Sequence, residues 1–249
     1  MSQIIIGSAR HDEFGKYVGG KAGDQTGSEV DTQAYYNHKK GWYVYRCINE
    51  VYRKQIAEKM YKACINDNIG YSQSDRYSLS KYGIDTDIPC NTDCSELIRV
   101  IVKEVTGIDI GICTTANIGD KLVKTKLFVK LGKVGVQVSS SKLFAGDILC
   151  TCTKGHVVAV TKGVTDESTT TTTGEAPRPV IKYGVTGEEV AKLQQVLNQM
   201  FGLSLDVDGI CGNHTTDAIR VYQRHYGLEV DGKYGPKSYE KMKEVLKNV

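Results

Sequence analysis

The sequence predicts two domains of different class: a larger first domain mixing helices with β-strands, and a small second domain made of helices alone. Three observations carry this. The stretch from Val164 to Pro179 breaks the composition of the chain, the residues before it show both helical and strand periodicity, and those after it show only the helical one. At 249 residues and 27.4 kDa there is room for one large domain or two smaller ones, and 40% hydrophobic against 24% charged residues excludes wholesale disorder.

The break reads as a tether. Val164-Thr165-Asp166-Glu167-Ser168 runs into five threonines and then Gly174-Glu175-Ala176-Pro177-Arg178-Pro179, with no apolar period. Such a run cannot bury surface, so an extended linker is expected over 164–179, between domains at 1–163 and 180–249. The first domain carries 22 basic and 17 acidic side chains, a net +5, the linker nets −2 and the second domain zero. A whole-chain charge of +3 is too small to point to nucleic acid. The apolar start Ile4-Ile5-Ile6, cut off by Gly7 and Arg10, is too short for a signal-peptide core or a membrane span. The expectation is a monomer made in the cytoplasm, without membrane insertion. Eight cysteines without an export signal then read as thiols, metal ligands or a nucleophile, not a disulfide framework.

In the first domain, Ile48, Tyr52, Ile56, Met60 and Cys64 give one helix with an apolar face. Trp42-Tyr43-Val44-Tyr45 alternates like a half-buried strand. Pro89-Cys90-Asn91-Thr92-Asp93 is turn-like and leads into Cys94 to Val102, a central helix that runs to Gly107. Asp93 can cap it, and Cys94 falls in its first turn, where free amides and the positive helix end favour a thiolate. Ile148 to Thr153 alternates as a strand, Lys154-Gly155 turns the chain, and His156 opens a returning strand to Thr161. A helix-start cysteine and a strand-start histidine are the parts of a nucleophile–base pair.

Residues 19–27, Gly19-Gly20-Lys21-Ala22-Gly23-Asp24-Gln25-Thr26-Gly27, form a glycine-rich loop without the ending of a phosphate loop. The crowded Tyr35, Tyr36, Trp42, Tyr43 and Tyr45 suit sugar and peptide contacts, with Trp42 a substrate candidate. Thr114, Thr115 and Asn117 are candidates to line a cleft.

After the break, Val190, Leu193, Leu197, Met200 and Phe201 mark one helix, with two more at Ala218–Tyr226 and Tyr239–Leu246. Asp208-Gly209-x-x-Gly212-x-x-Thr215 is echoed by Asp231-Gly232-x-x-Gly235-x-x-Ser238, each copy leading into a helix. These read as tight turns with capping side chains. Asp206-x-Asp208-Gly209 lacks the later ligands of a calcium loop, and His214 and His225 have no zinc spacing, so no metal and no cofactor are expected.

With Gln194, Gln223 and Gly227-Leu228-x-Val230-Asp231-Gly232, these tail motifs resemble the three-helix peptidoglycan-binding module of bacterial and phage wall hydrolases, over nearly all of 182–247. In the first domain, Gly70-Tyr71, Asp93-Cys94-Ser95-x-Leu97, Gly146-Asp147-Ile148-Leu149 and Gly155-His156-Val157 resemble the NlpC-type and CHAP-type cell-wall cysteine peptidases, in the same order. That resemblance covers about 68–162. It implies an α+β papain-like fold, an antiparallel sheet with packed helices, with Cys94 as nucleophile and His156 as general base. It also implies Tyr71 leaning toward the sulfur and amides near Cys94 holding the oxyanion, at about 3 kcal/mol per donor. Asp93 and Ser95, flanking the nucleophile, are counted with the substrate contacts.

The third polar residue of those families has no clear match, because the linker begins soon after His156. Asp166, Glu167 or Ser168 in the linker, or Gln25 or Asp24 from the glycine-rich loop as a histidine orienter or substrate contact, are the candidates. Together the two resemblances imply a phage-type endolysin cutting an amide bond of the peptidoglycan stem peptide, held on the wall by its second domain, and acting after release from the cell. The alternatives are a zinc-stabilised protein using Cys90, Cys94, Cys150, Cys152 and His156, or a non-catalytic wall adhesin.

Overall fold

The computed structural model describes residues 3–164, 176–201, 203 and 205–247. The expected linker falls largely, and Asp166, Glu167 and Ser168 wholly, outside the described residues. The chain divides into two compact units, Met1–Thr165 and Asp166–Val249.

The first unit is mixed α+β. Its strands and helices are β1 (Ile5–Ala9), β2 (Val30–Ala34), β3 (Trp42–Cys47), α1 (Glu50–Cys64), β4 (Ile69–Tyr71), α2 (Leu79–Tyr82), β5 (Cys90–Thr92), α3 (Cys94–Thr106), α4 (Ile118–Lys124), β6 (Phe128–Lys133), β7 (Ile148–Thr151) and β8 (Val157–Lys162). Six strands form one antiparallel sheet in the order β2-β1-β8-β7-β3-β6, and β4 and β5 pair in parallel apart from it. The N-terminal strand thus lies beside β8, the last strand of the unit.

The sheet is covered on both faces. Tyr45, Ile148, Cys150, Val157 and Ala159 join the core built with α1 and α3, whereas Trp42, Val44, Leu149, Val158 and Val160 belong to a second apolar cluster with Ile6 and Leu143. β3 is therefore not the half-buried strand its alternation predicts: Trp42 and Tyr45, on opposite faces, are both buried. Asn49 caps α1 by accepting the Tyr52 N–H, and Ile56, Ala57, Met60 and Ala63 form its buried face. In α3, Leu97, Ile98, Val100, Ile101 and Val102 are all buried, at about 1.5–3 kcal/mol per large side chain relative to exposure. Gly107, left-handed at φ 74°, ends that helix where the sequence places its stop.

Gly146 shows why a glycine precedes Asp147. It sits at φ +86°, and a Cβ there would lie 1.9 Å from the Arg53 carbonyl oxygen. The close approach lets Asp147 pair with buried Arg46, Nε–Oδ1 at 2.7 Å and Nη2–Oδ2 at 2.6 Å.

The second unit is helical among its described residues: α5 (Glu188–Phe201), α6 (Asn213–His225) and α7 (Pro236–Lys247). The sequence repeat is a structural repeat. Gln194 on α5 accepts the Gly209 N–H and donates to Asp208 Oδ1 and the Ile210 carbonyl, while Gln223 on α6 accepts the Gly232 N–H and donates to Asp231 Oδ1 and the Lys233 carbonyl. Each Asp-Gly turn is thus clamped by the glutamine of the preceding helix. Gln194→Ala strands a buried amide and is expected to cost about 1–3 kcal/mol, read as a lowered unfolding midpoint of the second unit.

Candidate functional site

The site is built where α3 begins. Asp93 sits at the N-cap with extended backbone, and its Oδ1 accepts the N–H groups of Ser95 and Glu96 and the Ser95 hydroxyl. Its Oδ2 pairs with Arg76 Nη1 at 2.5 Å, and Arg76 Nη2 reaches the Cys113 carbonyl, so the loop before α2 is tied to the start of α3. Asp93 and Ser95 are buried, 4% and 2% exposed, and hold the helix start. The Ser95 and Glu96 amides are already engaged by Asp93, so they do not form the expected oxyanion site.

Cys94 points into the core with Cys150 and Val157 as neighbours. Burial, and then the Asp93 carboxylate, push its thiol up to about 12, and the Val157 N–H directed at the sulfur opposes this only in part. The helix end and this amide are outweighed by desolvation, so the sulfur is held as a thiol at neutral pH. Tyr71 lies beside it, as the resemblance implies; burial and then the neighbouring Cys94 raise the phenol above its usual range. Tyr71 stacks edge-on with the exposed Tyr17 and accepts a hydrogen bond from Gln73 Nε2.

His156 goes to the other face of the sheet. β7 and β8 pair Cys150 with Val157 and Leu149 with Val158, and successive side chains alternate. Val157 therefore faces Cys94, and His156, one residue earlier, faces away. Its Nε2 lies 3.2 Å from Ser8 Oγ on β1, and its ring is 6.4 Å from that of Trp42. Among the described residues no hydrogen bond joins Cys94 to His156. The Cys94–His156 base pair of the sequence reading is not assembled in this arrangement, because parity along β8 puts the imidazole behind the sheet.

Burial, then the positive influence of His38 and Arg10, lowers His156 to about 4 from 6.5. The unfolded chain therefore binds this proton at higher pH than the folded one. The stability this neutral imidazole carries is present above pH 6.5 and is lost as pH falls from 6.5 toward 4, on the order of 3 kcal/mol. His156→Gln is expected to flatten that limb of the stability-against-pH curve, measured by denaturant unfolding.

The remaining candidates are placed plainly. Asp24 organises its own loop: Oδ1 accepts the N–H groups of Thr26, Gly27 and Ser28, and Oδ2 those of Glu29 and Val30. Gln25 donates to the Ala22 and Gly23 carbonyls. Neither makes a hydrogen bond to His156. The loop lies against β4 instead, where a Cβ on Gly70 would meet the Gly23 carbonyl oxygen at 2.1 Å. Trp42 is 1% exposed and lies on the face opposite Cys94. Asn117 is exposed and its Oδ1 accepts the Thr114 N–H, while Thr115 accepts the Gly155 N–H, so this loop borders the β7–β8 turn. Cys90, Cys94, Cys150, Cys152 and His156 do not converge as zinc ligands, and no group of three or more metal-capable side chains occurs among the described residues.

Three residues of the region were not singled out from the sequence. Arg76 pairs with Asp93 across 17 positions, Ser8 meets His156, and buried Glu29 accepts the N–H groups of Tyr71 and Gln25, joining β4 to the glycine-rich loop. Ser8 carries a local signal, a lone hydroxyl in an apolar strand; the other two depend on distant partners.

A family model described as an endolysin-like domain matches residues 6–166. The chain belongs to that family. A second model, a putative peptidoglycan-binding domain, matches 186–242 of this endolysin-like chain, the stretch that holds the clamped Asp-Gly repeats. The chain is also 38% identical over 77 residues to a spore cortex-lytic enzyme of Halalkalibacterium halodurans; the match covers 31% of this chain and 23% of that enzyme. Two solved structures are similar over 27% of the chain, each at a TM-score of 0.26. One is the SleB N-terminal domain, 35% identical and covered over 93% of its length; the other is a peptidoglycan-binding protein from Clostridioides difficile, 32% identical and covered over 42%. No helix among the described residues is long and apolar enough to cross a membrane.

Proposed function

We propose that this chain is a wall-degrading lysin that cleaves an amide bond of the peptidoglycan stem peptide, with Cys94 as nucleophile in a papain-like first domain and the second domain holding it on the wall. The observation that carries the reading is the union of an endolysin-like domain with a peptidoglycan-binding region in one chain. Tethering makes encounter with the wall intramolecular and raises the effective substrate concentration.

Within the first domain, Cys94 is favoured by its place at a capped helix start, by the Val157 N–H aimed at the sulfur and by Tyr71 alongside. Burial holds the sulfur as a thiol here, so attack requires the Tyr71 side chain beside it to give way. The sulfur attacks the carbonyl carbon, the thiol proton leaves on the departing amine, and water then cleaves the thioester to a carboxylic acid and restores the thiol. His156 reaches this proton only if the start of β8 turns over.

A second reading, a wall-binding protein without catalysis, is favoured by the separation of Cys94 from His156. Mass spectrometry of purified wall incubated with the wild type and with Cys94→Ala decides between them. New amine and carboxyl ends with the wild type alone support the thiol reading. Ends released equally by both remove Cys94 from the chemistry, and intact wall with both leaves the binding reading.

A further inference from the structure

We propose that the outer face of the first unit's sheet holds a carboxylate-binding site, in which Arg10, Ser8 and His156 receive a free carboxylate of a wall peptide. The inference rests on the reading of the chain as peptidoglycan-acting and adds the chemistry of the fragment recognised.

Arg10 follows Ser8 by two residues at the end of β1, so the two share the side of the sheet that His156 faces. Arg10 Nε and Nη2 are both shielded from solvent and make no hydrogen bond. Asp31, the acid paired with Arg10, stands 3.7 Å from Nη2, beyond hydrogen-bond reach. Two shielded guanidinium donors without acceptors are costly, and a carboxylate presents two oxygens at the spacing of that fork. Ser8 Oγ and His156 Nε2, 3.2 Å apart, supply a polar pair on the same side of the sheet.

Apart from the Asp31 carboxylate, the charged groups around the site are basic. Burial first, and then His38 and Arg10 around His156 and Lys40 and Lys39 around His38, disfavour the cationic form of each imidazole. An added negative charge would reverse that balance. The walls are aromatic: the His38 ring lies 5.1 Å from Trp42, and Tyr36, 37% exposed, lies 5.8 Å from Trp42. Tyr36 and His38 belong to the segment between β2 and β3, outside any strand, and entry of a carboxylate requires that segment to move.

The test is an NMR titration of the histidine side chains of the full chain, with N-acetyl-D-alanyl-D-alanine and in parallel with its C-terminal amide. The carboxylate is expected to raise the titration midpoint of His156 by about one pH unit, and the amide to leave it in place. Arg10→Gln is expected to abolish the response and Arg10→Lys to restore part of it. No response in the wild type, or an equal one to both probes, overturns the site; a full response in Arg10→Gln overturns the role of Arg10. The titration reads binding without turnover, so it is repeated in Cys94→Ala. A carboxylate response in the wild type and in Cys94→Ala, with wall that the wild type leaves intact, sinks the lytic reading and keeps the site; wall degraded by the wild type with no carboxylate response in either protein sinks the site alone.

Discussion

Asp147→Ala is expected to destabilise the first unit by about 3–5 kcal/mol, enough to unfold a domain of ordinary stability. The Arg46–Asp147 pair is bidentate and buried, with side chains 1% and 0% exposed. Asp147 Oδ2 also accepts the Phe144 N–H, and the Arg46 guanidinium lies 4.0 Å over the Phe144 ring. Removing the carboxylate leaves a desolvated cation and an unmatched amide at the base of β7. The cost comes from stranding one partner, not from any large net worth of the pair. The double change Arg46→Met with Asp147→Leu is therefore expected to be markedly milder than Asp147→Ala. Chemical denaturation of the three proteins checks this, and a double variant as unstable as the single one would show that the pair itself carries the stability.

This pair bears on how much of the molecule the sequence makes legible. Gly146-Asp147 stood out only as part of a family resemblance; its physical cause, a backbone approach to Arg53 and a cation 101 positions away, is not local. The start of α3 was legible because capping is a short-range matter: Asp93 and the amides it satisfies lie within three residues. The β7–β8 hairpin was legible from its turn and its apolar runs. What could not be read was which face His156 takes. Val157, Val158, Ala159 and Val160 are all buried because β8 is covered on both sides, so the pattern has no polar phase to mark the Cys94 face. The glycine-rich loop was recognisable, yet its role was not. Asp24 spends its carboxylate on its own loop, and contact with Gly70 brings that loop to β4.

Cys94→Ala is expected to lower wall degradation by on the order of 10³-fold or more while leaving the unfolding midpoint within a degree or two of the wild type's. The two readouts separate because the sulfur is a small buried group whose loss leaves the Asp93 cap, the Arg76 pair and the apolar face of α3 in place. The same burial predicts how the wild-type thiol reacts. With its pKa pushed up to about 12, Cys94 is expected to alkylate slowly with iodoacetamide at pH 8, and faster once wall fragments open the flank beside Tyr71. Peptide mapping of the alkylated protein isolates this sulfur from Cys64 and Cys152, the two less buried cysteines. His156→Ala supplies the contrast. If His156 turns over to serve as base, its loss lowers degradation as steeply as that of Cys94. If it stays with Ser8 behind the sheet, the variant loses only what the carboxylate site contributes. Rapid alkylation of Cys94 without wall fragments would show an open thiolate and overturn the shielded state; alkylation that wall fragments leave unchanged would remove opening of the flank from the mechanism.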